Sequence, residues 1–219
     1  MPGARRSDRI SPRDLEILEF IARFGVVPRG AVATWAATAR AATIARETRL
    51  RKAALIRVER SFGGEPLALC TRPGLRAAGR GELRIARLSA AAISHDAVVA
   101  GLAARLERGG ERLLSEREML AAERAEGARI YSASLQGGRK HRADLIRTDP
   151  RGGPGEAIEV ELSTKGAARL DELLRAWRRA VLERRVSAVA YRCAPRTLRY
   201  VERAIERTKT AEMVSASPL

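Results

Sequence analysis

Apolar residues recur along this chain with two different periods, and the alternation between them sets out its elements. Leu15, Leu18, Ile21 and Ala22 follow helical spacing and give one buried face. Ser11-Pro12-Arg13-Asp14 opens that helix: Ser11 suits the cap, Pro12 the first turn, and Asp14 and Glu16 the positive end of the dipole. Phe24-Gly25 ends it. A second short helix is predicted from about Arg29 to Ala36, turning Val32 and Trp35 inward, and a third from about Thr38 to Ala53. The pattern then shortens. Leu55 to Arg60 and Pro66 to Cys70 are two apolar runs on either side of Phe62-Gly63-Gly64-Glu65, which reads as a β-hairpin closed by Thr71-Arg72-Pro73-Gly74.

Three helices followed by a hairpin is the element order of a winged helix-turn-helix, and Gly79-Arg80-Gly81 reads as its end. Beyond it the pattern predicts a helix from about Ala90 to Glu107, a strand at Arg112-Leu113-Leu114, a helix from Glu116 to Arg124, and a strand near Ala128 to Leu135. Gln136 to Lys140 is a polar turn, His141 to Arg147 a strand, Thr148 to Gly155 a turn, and Ala157 to Leu162 a strand. A helix from Gly166 to Glu183, a strand from Val186 to Arg192 and a helix from Pro195 to Arg207 follow, and the tail after Lys209 reads as frayed. The expected fold class is α/β (α+β), with a winged helix over residues 9–80 and a mixed α/β domain over residues 82–208.

Charge sharpens the picture of the first part. The formal net charge is +16, carried almost entirely by Arg, with Lys only at positions 52, 140, 165 and 209. Residues 1–80 hold 16 Arg or Lys against 7 Asp or Glu, more than half of the excess in the smaller part. Such a field draws a chain to nucleic acid, and Met1 to Asp8 reads as a disordered basic arm that adds to it. On a helical wheel Ile44, Leu50 and Ala54 fall on one half of the third helix, with Glu47 among them. The other half carries Thr38, Ala45, Arg49 and Lys52, with Arg46 at its flank. Small residues (Ala41, Ala42, Ala45) let a helix sit deep in a major groove, and Arg46, Arg49 and Lys52 would reach guanine edges and phosphates. Arg57 and Arg60, at the base of the wing, would lie on the DNA backbone. Double-stranded DNA is therefore the expected partner, and a homodimer on paired half-sites the expected assembly.

Cys70 and Cys193 form no CxxC pair and no zinc spacing, which points to reduced thiols. No run of 18 apolar residues exists and the first residues are polar, so the expectation is no membrane span and no signal peptide. The expected place is the cytoplasm.

The second part offers a different chemistry. Ala157-Ile158-Glu159-Val160-Glu161-Leu162 alternates strictly, so Glu159 and Glu161 project from one side of a strand and Ile158 and Val160 from the other. Asp144 lies on the preceding strand and can approach them if the two pair across the turn. Three carboxylates in one pocket repel, and Mg²⁺ would relieve that repulsion and orient a water for phosphodiester cleavage. The alternative is a solvated face, or ion pairs with Arg142, Arg169 or Arg178. His141 lies three residues before Asp144, and Trp177 falls on the inward stripe Leu170, Leu173, Leu174, Trp177, Val181.

The order of several short motifs carries a resemblance: Ser11-Pro12-Arg13-Asp14, Thr71-Arg72-Pro73-Gly74, Ser94-His95-Asp96, Leu114-Ser115-Glu116-Arg117-Glu118, His141-Arg142-Ala143-Asp144 and Ile158 to Lys165. From about residue 10 to 200 the chain resembles the replication-relaxation family of actinobacterial plasmids and integrative elements. Its second half is similar in layout to the PD-(D/E)XK nuclease-like fold. Against that fold's motif Asp144 matches the Asp, with Ala143 where Pro is usual. Glu159 matches the acidic residue, and Glu161 stands where Lys is usual. The resemblance implies a double-stranded DNA-binding protein of a plasmid or mobile element, acting in replication, transfer or transcription control, with replication or conjugation proteins as further partners. It also implies two alternatives. One is a Mg²⁺-dependent endonuclease or nickase using Asp144, Glu159 and Glu161 with Lys165 as a displaced Lys and Glu116 as a further acidic ligand. The other is a plain repressor whose second domain dimerises.

Overall fold

The computed structural model describes residues 9–60, 64–127 and 130–219. The chain is mixed α/β and divides into two units, Met1–Gly110 and Glu111–Leu219. Three sequence expectations fall partly or wholly outside the described residues: the basic arm at Met1 to Asp8, part of the hairpin turn, and the start of the strand near Ala128.

The first unit begins with α1 (Pro12–Phe24), whose entry is a complete capping box. The Ser11 hydroxyl accepts from the Asp14 backbone N–H (3.2 Å), and the Asp14 carboxylate accepts from the Ser11 N–H (3.0 Å). Ile17, Leu18, Phe20 and Ile21 are fully buried. Then come β1 (Val27–Pro28), α2 (Arg29–Ala36), α3 (Arg40–Lys52), β2 (Ile56–Arg60), β3 (Pro66–Cys70), α4 (Arg72–Ala77) and α5 (Ile93–Arg108). The three strands form one antiparallel sheet in the order β1-β3-β2, with Val27 opposite Ala68 and Ile56 opposite Cys70.

Two details depart from the sequence reading. Thr71-Arg72-Pro73-Gly74 does more than close the hairpin: it opens α4, with the Thr71 hydroxyl accepting from the Gly74 N–H (3.1 Å). A side chain at Gly74 would meet the Leu55 carbonyl oxygen at 1.9 Å, so only glycine fits this close crossing. The break expected at Gly79-Arg80-Gly81 is an internal loop, because the unit continues through α5 to Gly110. Near the end of α5, Glu107 accepts from Trp35 Nε1 (2.7 Å) and pairs with Arg23 (2.7 Å). Leu83 and Ala86 bury along the way, and Arg57 Nη2 donates to the Ala86 carbonyl (3.2 Å).

The second unit runs β4 (Leu113–Ser115), α6 (Glu116–Glu126), β5 (Ser132–Ser134), one 3₁₀ turn (Gln136–Gly138), β6 (Lys140–Arg142), β7 (Leu145–Arg147), β8 (Glu156–Glu161), α7 (Ala167–Leu182), β9 (Val189–Cys193), α8 (Pro195–Thr208) and β10 (Val214–Pro218). Its main sheet has the order β10-β9-β8-β7-β4. Strands β4, β7 and β8 pair antiparallel, and β8, β9 and β10 pair parallel through the crossover helices α7 and α8. The run 141–147 is two strands rather than one. It breaks at Ala143-Asp144, so that β6 pairs with β5 while β7 pairs with β8. The tail is ordered: Lys209 ends α8 in the left-handed conformation, Thr210 is buried, and β10 closes the sheet edge beside β9. Trp177, Leu170, Leu173, Leu174, Tyr191, Val201 and Ile205 form the core of this unit, with Val181 partly buried against it. Among the described residues no helix is long and apolar enough to cross a membrane.

Candidate functional site

The rotation of α3 decides which of its side chains can meet a ligand. Its buried residues are Thr43, Glu47 and Leu50, only one of them a hydrophobe. Glu47 is seated by Arg29, whose Nε donates to its carboxylate (2.6 Å). Thr43 donates to the Ala39 carbonyl (3.2 Å) and lies 3.0 Å from the Thr38 hydroxyl, which ties Thr38 to the start of the helix. The two arginines expected to face outward turn to α1 instead. Arg46 Nη1 donates to Asp14 Oδ1 (2.9 Å), and Arg49 Nη2 donates to Asp14 Oδ1 and Oδ2 (3.2 and 3.4 Å). The Asp14 side chain has no exposed surface. Burial pushes its pKa up, but the Ser11 N–H and hydroxyl and the two guanidinium groups outweigh this and hold it at about 2.

The wheel is thus corrected by a partial turn. Ile44 and Ala54, expected in the core, are exposed, and Arg46 and Arg49 are three-quarters covered. Ile44 and Leu50 lie about 120° apart on a helix, so no rotation buries both well. The polar residues Glu47 and Thr43, each with a dedicated partner, set the angle. The outward surface consists of Arg40, Ala41, Ala42, Ile44, Ala45, Arg51 and Lys52. Arg40 and Arg51 went unnoticed in the sequence because the wheel was set by Ile44.

The wing residues are placed as follows. Arg57 is pinned by Glu59 (3.2 Å) and by the Ala86 carbonyl, which commits both of its terminal nitrogens. Arg60 is exposed at the end of β2, opposite Pro66. Beside it Glu65 accepts from the Gly30 N–H at the start of α2 (3.1 Å), across an open cleft of about 430 Å³ that Arg29 and Arg40 also line.

The second candidate lies on β8. Glu159 and Glu161 do project from the face opposite Ile158 and Val160, but both faces of β8 are buried. Glu159 Oε1 accepts from Trp177 Nε1 on α7 (3.1 Å) and lies 2.8 Å from His141 Nε2 on β6. Glu161 is ion-paired with Lys165. Asp144, at the break before β7, accepts the Val160 backbone N–H (2.7 Å). Two of the arginines expected as partners serve other carboxylates: Arg142 binds Glu123 (3.1 and 2.7 Å) and reaches Glu116 (3.5 Å), and Arg169 binds Glu172 (2.7 Å). Glu116 is mostly exposed and stands in this pair with Arg142.

These residues do not fit Mg²⁺. A magnesium site needs oxygens in an octahedral shell that keeps several waters. Here the like-charge repulsion a cation would relieve is already relieved by His141 and Lys165, and one Glu159 oxygen and one Asp144 oxygen are occupied by N–H groups. Among the described residues no three His, Cys, Asp or Glu side chains form a group that could hold a metal ion. Two residues complete the cluster, His141, whose place near Asp144 the sequence suggests, and Tyr191, which no sequence signal marks. His141 takes Glu159 as its partner, and Tyr191 stands beside Glu159 in the sheet register. The Tyr191 hydroxyl is buried without a hydrogen-bond partner, and burial with the nearby carboxylates raises its pKa well above the ordinary value. Cys193 is buried as well, with its thiol pushed up to about 11, which leaves it unreactive.

Comparison with protein-family models, with curated proteins and with solved structures finds no match for this chain.

Two measurements probe these networks. Asp14→Asn removes a carboxylate whose pKa falls from 3.8 to about 2 on folding. That shift corresponds to about 2 kcal/mol of stability at neutral pH, present above the unfolded value and lost as pH falls through the folded one. Denaturant midpoints of the two proteins should therefore differ at pH 7 and converge between pH 4 and 2. For His141, burial opposes its charge, but the Glu159 carboxylate at its ring, aided by Asp144, wins and raises its pKa above 6.5; burial also raises Glu159. A raised histidine stabilises the fold fully below its unfolded pKa and loses that contribution as pH rises through the folded one. Unfolding of the second unit should become easier from about pH 6.5 upward, and His141→Asn should flatten that slope.

Proposed function

We propose that the first unit is a winged helix-turn-helix that binds double-stranded DNA through α3 and the β2–β3 wing, and that the chain is a non-catalytic DNA-binding protein of a plasmid or mobile element. One observation carries this reading: the order α1-β1-α2-α3-β2-β3, with β1 paired to β3, leaves α3 with a short-chained surface bounded by Arg40 at one end and Arg51 and Lys52 at the other. Small side chains allow close approach of a helix to the groove floor, and cations at its ends suit the phosphate rows. Arg46 and Arg49 serve in this scheme as struts against Asp14 rather than as readers of guanine. The assignment to a mobile element rests on the order of motifs in the sequence alone.

A second reading has one observation in its favour. The antiparallel strands β4, β7 and β8, followed by α7 and the parallel strand β9, with Asp144 just before β7 and Glu159 and Glu161 on β8, are compatible with a PD-(D/E)XK-like layout. The carboxylates, however, are already committed to His141, Trp177, Lys165 and a backbone N–H. This supports that fold's shape with a structural polar core in place of its metal chemistry.

Gel-shift titration of the whole chain against random duplex at several salt concentrations tests the first reading. Each phosphate neutralised contributes about −0.9 to the slope of log affinity against log salt, so the double variant Arg40→Ala, Lys52→Ala should flatten the slope by nearly 2. Absence of any shift at about 50 mM salt by folded protein would refute DNA binding. Supercoiled plasmid incubated with the protein and Mg²⁺ or Mn²⁺ should stay intact. Nicking that disappears in Asp144→Ala and Glu159→Ala would overturn the non-catalytic assignment.

A further inference from the structure

The outward face of α3 has an uneven chemistry that bears on which bases it reads. Its long cations lie at the two ends, Arg40 at the first residue and Arg51 and Lys52 at the last two. Between them the face is made by the exposed Ala41, Ala42, Ile44 and Ala45, with the half-buried Thr48 at its side. The alanines carry no polar atom. Thr48 donates its one hydroxyl proton to the Ile44 carbonyl within the helix (2.8 Å), which leaves it only an acceptor. Arg46 and Arg49, the long donors near the middle, are drawn back to Asp14. Ile44 is left projecting, 39% exposed, from a helix with only one buried hydrophobe. The fold covers only part of this branched apolar side chain, and its exposed part is open to apolar contact from outside.

Resting on the DNA-binding reading, we infer that Ile44 is the specificity-determining residue of the helix and that it reads the C5-methyl group of a thymine. Each base edge in the major groove asks for a different partner. Guanine offers two acceptors and needs a donor, and cytosine and adenine offer amino groups. Only thymine offers a methyl group. A face without a donor at its centre gains nothing from guanine and gains apolar contact from thymine. The distance along the helix from Arg40 to Arg51 is about 16 Å at 1.5 Å per residue, against a groove about 12 Å wide. The end cations therefore reach the phosphate rims while Ile44 stands over the base pairs. The occupant of this face is thus duplex DNA carrying thymine near the centre of the contacted segment.

The test replaces one methyl group in the DNA and leaves the protein intact. Duplexes bound by the full chain are selected from a random pool, and the selected sequence is then synthesised with uracil in place of thymine, one position at a time. Loss of one buried methyl is worth roughly a fourfold drop in affinity, so one position should show about that loss and the others little. Ile44→Ala should bind the thymine and uracil forms alike, and Ile44→Val should keep most of the difference. If no uracil substitution weakens binding of the wild-type chain to its preferred sequence, or if Ile44→Ala still distinguishes the two forms, the role of Ile44 is refuted while DNA binding stands. If the chain retains no duplex from the pool even at low salt, the DNA-binding reading fails and this inference with it.

Discussion

The buried carboxylate of Asp14 joins three things that would otherwise be independent. It closes the capping box that starts α1, it pairs with two arginines of α3, and through them it fixes the angle at which α3 faces outward. A charge with no solvent contact is costly unless every lone pair is used, and here a backbone N–H, a hydroxyl and two guanidinium groups supply the donors. The helix itself has too little hydrophobic surface to orient by burial. Its orientation is set by ion pairs, with Arg29 and Glu47 anchoring its other side.

The same principle recurs in the second unit. Its sheet buries both faces of β8, so the two glutamates on that strand need partners inside the fold. His141, Trp177 and Lys165 provide them. A polar group arrangement that looks like a metal site in one dimension becomes an internal ion-pair and hydrogen-bond cluster once the helix above it is in place. Glu123 behaves likewise, gathering Arg142, Ser132 and the Tyr131 N–H around one buried carboxylate.

Local signals were legible and long-range ones were not. The bounds of α2, the cap at Ser11, the pairing of the two strands flanking Gly64 and most of the inward stripe of α7 follow from neighbours within a few residues in sequence, and the structure has them. The two-residue strand β1 and the terminal strand β10 carry almost no apolar pattern, and each exists because a distant strand offers its edge. The split of residues 141–147 depends on two different partners, β5 and β8. At the candidate sites the residue types were found but their directions were not. The rotation of α3 hinges on Asp14 and Arg29, and the role of His141 on Glu159, all of them 18 or more positions away in sequence.

The attachment of α5 by Glu107 has a consequence for how the first unit behaves as a physical object. Its last helix is held by the indole of Trp35 and the guanidinium of Arg23 as well as by the linking loop, whose Leu83 and Ala86 are buried. A protease cut between residues 87 and 92 would sever the chain without releasing the helix, so two fragments would travel as one particle until denatured. The smallest piece that keeps its own interior therefore extends to Gly110.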